Sequence, residues 1–337
     1  MIPHNSPTLG AAEKAAVDRV LDIQWVAQGR EVKAFENELC EYLGVPDGHA
    51  LLVSSGTSAL YLALLALNAR GKKVGLPVYV CSAVRNAIGM IGAECAYLDC
   101  APDSPNLDRD AVPESGADIL VAPSMFGIPA KLPADGNVAV IEDIAQALGS
   151  KVGAVYAGLR GSIGVCSFYA TKLITTGGQG GALISKDKSI IDQIRDYREF
   201  DSRRDQKLRF NFQMTDLQAS VGRTQLSRMP EFLRLRENVF EIYKYAGLPM
   251  LEDKGSNIAA VRYRAVMRCA EPESLISTLG AQGIRAIVPI EDWELLDASD
   301  AHHNAKALTR STVSLPIYPS LSEQDAKRIA QVARAFA

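Results

Sequence analysis

A lysine set between a strand end and a cluster of glycines can serve as a nucleophile. Lys172 stands so in SFYATKLITTGGQGGAL, Ser167 to Leu183, followed by Gly177, Gly178, Gly180 and Gly181. The run IGVCSF, Ile163 to Phe168, reads as a buried strand, so the lysine leaves a strand and enters a loop. Glycines there permit positive-φ turns or a close backbone approach to a bound group. A lysine desolvated in such a loop becomes a Schiff-base nucleophile. On this stretch alone a solvated lysine in a glycine turn is the simpler reading.

Two further stretches could do chemistry. Ser54-Ser55-Gly56-Thr57-Ser58 follows a short strand, Ala50 to Val53, and opens an apolar helix running to about Asn68. Free backbone N–H groups and hydroxyls at a helix start make an anion site, with phosphate as the usual guest. Ordinary N-capping explains the same residues. The loop is neither the GxxxxGK[ST] phosphate loop nor a GxGxxG dinucleotide turn. Asp143 directly follows the strand VAVIE, with Gln146 three residues on. Its carboxylate could face a cationic nitrogen of a ligand, or simply cap a short helix.

The elements that must position these residues alternate. Helices are expected at Ala11 to Asp22 and at Glu31 to Leu43, the second with Val32, Phe35, Leu39 and Leu43 on one face and Gly44 as its stop. Short strands follow near Ala50, Val74, Cys95, Ile119, Val138, Ile163 and Ala182. This is an α/β chain with a mostly parallel sheet flanked by helices. Ligands of such sheets gather at the carboxyl ends of strands, where all three stretches fall. A charged helix from Ile190 to Phe200 leads to the arginine-rich loop DSRRDQKLR, Asp201 to Arg209, a solvated surface or a phosphate contact. Thr215 or Asp216 caps the next helix, and Met229 to Tyr245 reads as a connector. We therefore expect a large domain over residues 1–245 and a smaller α/β domain over 246–337. The segment up to Arg30 is free to pack on the smaller one. Strands are expected near Ala259–Met267 and Ile284–Pro289, and a last helix at Glu323–Phe336 capped by Ser322.

Composition sets limits. The 337 residues are too many for one simple core, and 47% hydrophobic with 22% charged residues is ordinary for a globular protein. A net charge of −3 gives no footprint for nucleic acid or an anionic membrane. The longest apolar run, Ala59 to Leu67, is far short of the ~20 residues a membrane span needs. The six cysteines form no CxxC pair and read as reduced thiols of a cytoplasmic protein. No two of the four histidines have ligand spacing on a helix, so no metal site is expected.

Six motifs, in order, carry a resemblance: SSGTSAL at 54–60, IEDIAQALG at 141–149, SFYATK at 167–172, GGQGGAL at 177–183, NFQMTDLQAS at 211–220 and SLPIYPSLSE at 314–323. Together with the opening IPHNSPTLG, they resemble the DegT/DnrJ/StrS family over nearly the whole chain. Its members are sugar aminotransferases of the type I fold that use pyridoxal 5′-phosphate (PLP). The resemblance implies a Schiff-base role for Lys172 and a pyridine-nitrogen partner in Asp143. It places Gln146 beside the phenolic oxygen and gives the phosphate to Thr57, Ser58 and Ser167, with Gly56 shaping the turn. Asn211 matches an asparagine that reaches the phosphate from the other subunit, which implies a homodimer with shared sites. The implied substrates are an amino donor, L-glutamate, and a nucleotide-linked keto-sugar.

Three positions depart from the family pattern. Where the family stacks an aromatic ring on the pyridine stands Cys81, with Tyr79 as the nearby substitute. Gln179 replaces the acidic residue of GG(D/E)GG, and Gln213 replaces a frequent arginine. These leave the cofactor residues in place and bear on the substrate. A dehydratase of the same family would carry histidine at position 172, so Lys172 argues against it. A non-catalytic binding protein on the same fold is the other alternative.

Overall fold

A computed structural model of the chain describes all residues except 135, 254 and 256. Helices α1 (Ala11–Ile23) and α2 (Arg30–Leu43) come first, then β1 (Ala50–Val53), α3 (Gly56–Ala66), β2 (Lys73–Pro77), α4 (Ala83–Ile91) and β3 (Glu94–Leu98). Next come α5 (Val112–Ser115), β4 (Ile119–Pro123), β5 (Ala139–Asp143), the small hairpin β6 (Lys151–Val152) and β7 (Val155–Tyr156), then β8 (Ile163–Ser167) and β9 (Gly181–Ile184). Helices α6 (Lys188–Arg198), α7 (Asp216–Ser227) and α8 (Met229–Tyr245) follow. The C-terminal part holds β10 (Ile258–Ala259), β11 (Ala265–Arg268), α9 (Pro272–Ala281), α10 (His303–Ser311), β12 (Thr312–Leu315) and α11 (Glu323–Ala333).

Seven strands form the main sheet in the order β1-β9-β8-β5-β4-β2-β3. Every pairing is parallel except those of β9, which runs against both β8 and β1. The strands β1, β4, β5 and β8 therefore end on one edge, as expected of ligand-binding α/β sheets. The central strands are buried along most of their length and read as continuous apolar runs. At the end of β5, alternation sends two carboxylates to opposite faces. Glu142 is wholly buried and pinned by Arg160 and by the N–H of Gly161 at 2.9 Å, which leaves Asp143 for the other side.

Helices α2 and α7 cross closely because Gly222 lies against Phe35, where a Cβ would come within 2.3 Å of the ring. The start of α7 is a capping box between Thr215 and Gln218. Asp216, expected as an alternative cap of α7, caps α2 instead. Its carboxylate accepts from the N–H groups of Gly29 (2.8 Å), Val32 (3.1 Å) and Glu31 (3.2 Å), three donors with no partner inside α2. Asp216→Ala should leave those donors unmet and cost about 2 kcal/mol. Urea unfolding would read this directly; a loss under about 0.5 kcal/mol, the range of a plain surface change, would contradict the account.

In the C-terminal part β11 pairs antiparallel with β12, and α8, α9 and α11 close over them through Phe240, Tyr243, Leu275, Leu279 and Ile329. No strand forms over Ile284–Pro289. Ile284 bridges Ile2, and Ile287 bridges Ser314 on the free side of β12. The segment's backbone is divided between two partners, so no continuous ladder develops. The chain start is strapped on by the same bridge and by Ile317 N–H to the His4 carbonyl. The C-terminal part touches the main sheet at Met125–Gly127. There Val261 N–H donates to the Gly127 carbonyl at 3.0 Å, and Arg264 N–H to that of Phe126 at 3.5 Å. Gly127, at φ 95°, has no room for a side chain, since a Cβ would lie 1.8 Å from the Val261 oxygen.

Candidate active site

The loop that carries Lys172 joins two antiparallel neighbours, β8 and β9, so its ends are already fixed. Phe168 N–H donates to Gly180 at 2.8 Å, Ala170 N–H to Gly178 at 3.0 Å, and Lys172 N–H to Tyr169 at 2.9 Å. Thr176 Oγ1 donates to the Gln179 carbonyl at 2.6 Å, and Asn5 Nδ2 reaches over from the chain start to the Thr171 carbonyl at 2.9 Å. The glycine cluster divides by function. Gly177 (φ 87°) and Gly178 (φ 151°) make the turn. Gly181 lets β9 pass the Ser55–Gly56 peptide, where a Cβ would sit 2.3 Å from the Ser55 oxygen. That close approach is to protein and not to a ligand. The Lys172 side chain is half-buried and its Nζ lies over the Tyr263 ring, 5.2 Å from the centroid.

Asp143 is buried at the end of β5, beside β8. Its Oδ1 accepts from the Ala145 N–H at 2.9 Å. Burial pushes its pKa up, against that hydrogen bond and the pull of the Lys172 charge. The neighbouring Cys166 thiol is pushed up to about 12 by burial and then by Asp143. Gln146 lies half-buried beyond Asp143, its Oε1 accepting from the Phe126 N–H at 2.7 Å. That bond fixes the amide so that Nε2 is the free end, a donor.

At the start of α3, Ser55 is the N-cap, accepting from the Ser58 N–H at 3.0 Å, and the Ser58 hydroxyl contacts those of Ser54 (3.1 Å) and Ser55 (2.8 Å). The N–H groups of Gly56 and Thr57 precede the first helical bond. Gly56 lies directly on Ser167, where a Cβ would meet the serine Cβ at 2.8 Å, so helix start and strand end form one wall. Ser54 is tied to the Phe212 carbonyl at 2.8 Å. Asn211, next to it, is exposed, and its Oδ1 accepts from the Gln213 N–H at 3.1 Å.

Lys172 and Gln146 line a cavity of about 460 Å³ together with Cys81, Phe126, Tyr263 and Arg264. Cys81 is exposed at this cavity, whereas Tyr79 is fully buried with its ring edge-on to Phe126 at 6.2 Å. Of the two residues weighed for the cofactor face, Cys81 is the one that reaches the cavity. Phe126, Tyr263 and Arg264 carry no motif in the sequence. For the Tyr263 phenol, burial acts upward, but the charges of Lys172, Arg264 and Arg236 and a hydrogen bond with Thr171 bring it below the ordinary value. The basic loop 201–209 turns inward on its own acids: Arg203, Lys207 and Arg209 pair with Asp196, and Arg209 also with Asp205. Among the described residues no cluster could hold a metal ion, and no helix is long and apolar enough to cross a membrane.

The profile of the DegT/DnrJ/EryC1/StrS aminotransferase family matches residues 7–334. The GDP-perosamine synthase of Escherichia coli O157:H7 is 30% identical over 259 residues, covering 72% of this chain and 70% of that protein. The aminotransferase TlmJ from Streptoalloteichus hindustanus superposes with a TM-score of 0.91 at 28% identity, over 99% of this chain and 98% of the other. DesV of S. venezuelae, solved in complex with a ketimine intermediate, superposes with a TM-score of 0.86 at 26% identity, over 96% and 93% of the two chains.

Proposed function

The chain belongs to the DegT/DnrJ/EryC1/StrS aminotransferase family, and from that premise we propose that it binds pyridoxal 5′-phosphate through Lys172 and transfers an amino group from L-glutamate to a nucleotide-linked keto-sugar. The observation that carries this reading is Asp143: a buried carboxylate with one bond, from Ala145 N–H, that feels the charge of a half-buried lysine on the neighbouring strand's loop. Such a carboxylate calls for a cationic N–H partner. The rest of the wall suits the same group. Gln146 Nε2 is free to donate to a phenolic oxygen, and the N–H groups of Gly56 and Thr57 with the Ser58 and Ser167 hydroxyls suit a phosphate.

Bound here, the cofactor supplies a conjugated electron sink. The chain's residues do the rest. Lys172 Nζ holds the cofactor covalently and, once an incoming amine frees it, takes the proton from the donor's α-carbon. Asp143 keeps a proton on the ring nitrogen by its negative charge. The nucleotide-sugar class is supported by the relative named for a GDP-linked product. Six free cysteines support a cytoplasmic setting. The test is spectroscopic. L-Glutamate should bleach the visible band of the lysine-linked cofactor, and a keto-sugar nucleotide from a panel should restore it. A protein that holds PLP but responds to no amino donor is a binding protein instead.

Cys81→Phe should keep the fold and bind PLP as tightly or tighter, since the exposed thiol leaves space for a ring whose packing is worth ~0.5–1.5 kcal/mol. PLP affinity measured by titration would show this; a collapse with an unchanged melting temperature would mean that the cavity is shaped around the small residue.

We further propose a homodimer in which each site takes Asn211 from the partner. Beside it two apolar side chains stand in solvent, Leu208 at 88% and Phe210 at 64% of full exposure, as suits a subunit interface. Mixing a Lys172→Ala subunit with one disabled at Asn211 should then restore activity, because one site of the mixed dimer carries both lesions and the other none. Continued inactivity despite proven subunit exchange, with each variant inactive by itself, would place Asn211 in its own site.

A further inference from the structure

Arg264 is the unexplained group of the cavity. It precedes β11 and lines the cavity with Lys172. Its Nε and Nη1 are buried and without a hydrogen-bond partner. Its guanidinium lies over the Tyr263 ring, 5.8 Å from the centroid. Nearby arginines each reach an oxygen acceptor, although Arg236 Nε, like the two Arg264 nitrogens, is buried without a partner. Arg262 is paired with Glu237 at 2.9 Å, and Arg236 Nη1 donates to the carbonyls of Tyr263 and Ile317 at 3.2 and 3.1 Å. Glu294, acidic and also lining the cavity, is exposed and accepts from the Glu291 N–H. The nearby His4 imidazole is held neutral, its pKa lowered to about 3 by burial and by the charges of Arg264 and Arg285. The protein therefore leaves two buried N–H donors of a half-buried, permanently charged guanidinium unmet at the cavity wall, which is costly without an anion to meet them.

We propose that Arg264 binds a carboxylate of the amino donor, with its guanidinium fork taking the two carboxylate oxygens while the donor's amine reacts at Lys172. This rests on the aminotransferase reading given above. Position decides which anion is meant. The Tyr263 ring lies within cation–π reach of both Lys172 Nζ, at 5.2 Å, and the Arg264 guanidinium, at 5.8 Å. Both groups line one cavity, so an anion met by the guanidinium there suits a short ligand that also reaches the reacting nitrogen, as an amino acid does. The diphosphate of a nucleotide-linked sugar lies beyond a whole sugar ring from the reacting carbon and suits the exposed Arg85 at the cavity edge better. The fork geometry of guanidinium also matches a carboxylate in bidentate fashion.

The experiment titrates PLP-loaded protein with L-glutamate and follows the visible band, in wild type, Arg264→Gln and Arg264→Lys. Binding of GDP, UDP and dTDP is measured by calorimetry in parallel. Arg264→Gln should raise the half-saturating L-glutamate concentration roughly 10- to 100-fold, the loss expected for a charged hydrogen-bonded pair. Arg264→Lys should show a smaller rise, and nucleoside diphosphate affinity should stay unchanged in both. An Arg264→Gln curve that overlays the wild type overturns this proposal alone. So does a loss of nucleoside diphosphate affinity with the glutamate curve unmoved. If Arg264→Gln does not fold, an unshifted Arg264→Lys curve is the overturning result. A wild-type band that no amino acid shifts overturns the donor reading and this proposal together.

Discussion

Lys172→Ala should abolish turnover and the visible band of the linked cofactor, yet leave PLP bound. The loss in rate should be at least ~10²–10⁴-fold, the contribution of a positioned proton-transfer group by itself, before the covalent role is counted. Retention follows from where the other contacts come from. Asp143 sits at the end of β5, Gln146 is fixed by the Phe126 N–H, and the helix start belongs to α3, so none depends on the Lys172 side chain. The loop should also keep its shape, because its bonds run through backbone groups and Thr176. One readout is independent of activity. The Lys172 charge is among the influences that bring the buried Tyr263 phenol down, so its removal should move that phenol's titration upward. A variant that turns over at the wild-type rate would place the Schiff-base lysine elsewhere.

That Lys172, Asp143 and the α3 start lie at one edge of the sheet was legible in the sequence for one physical reason. Each stands at the end of a short apolar strand or within a few residues of it, so the change in polarity marks a strand end, and in a parallel sheet strand ends share an edge. The cavity's far wall gave no such signal. Tyr263 and Arg264 stand beside an apolar strand, in VRYRAVMR, and read as strand flank; only the docking of Val261 and Arg264 onto Phe126–Gly127 brings them to the lysine. Phe126 lies in a short turn at φ 60°, a conformation that local propensity disfavours for an aromatic residue. Asp216 was read as a cap, correctly in kind, but its helix is α2, almost two hundred residues earlier, because α2 and α7 cross at Gly222. Ile284–Pro289 has the apolar content of a strand, yet strand formation also needs a continuous partner, which a run of apolar residues does not reveal.

Asp143→Asn should slow amino transfer by orders of magnitude while leaving the fold intact. The amide keeps the shape of the carboxylate, and its oxygen can go on accepting from the Ala145 N–H, the bond that Asp143 Oδ1 makes now. What it lacks is charge. An amide does not hold a proton on the cofactor's ring nitrogen, and without that proton the ring is a poor sink for the electrons left at the donor's α-carbon. Stability without cofactor should move the other way. Burial raises the Asp143 pKa from its ordinary value of 3.8, so the folded chain holds this proton more tightly than the unfolded one. Stability from the protonated carboxyl is then present below the ordinary value and lost as pH rises through the raised one. Above the raised value the cofactor-free wild type carries a buried carboxylate whose desolvation the Ala145 N–H and the Lys172 charge do not fully offset, and the asparagine variant carries none. Cofactor-free Asp143→Asn should therefore melt at or above the wild-type temperature at pH above the raised Asp143 value, with the gap closing as pH falls through that value toward 3.8, while its kcat is the quantity that collapses. Near-normal kcat would mean that another carboxylate serves the ring nitrogen. A variant that melts well below wild type would instead show that the charge on Asp143 holds up the end of β5 and the turn behind it.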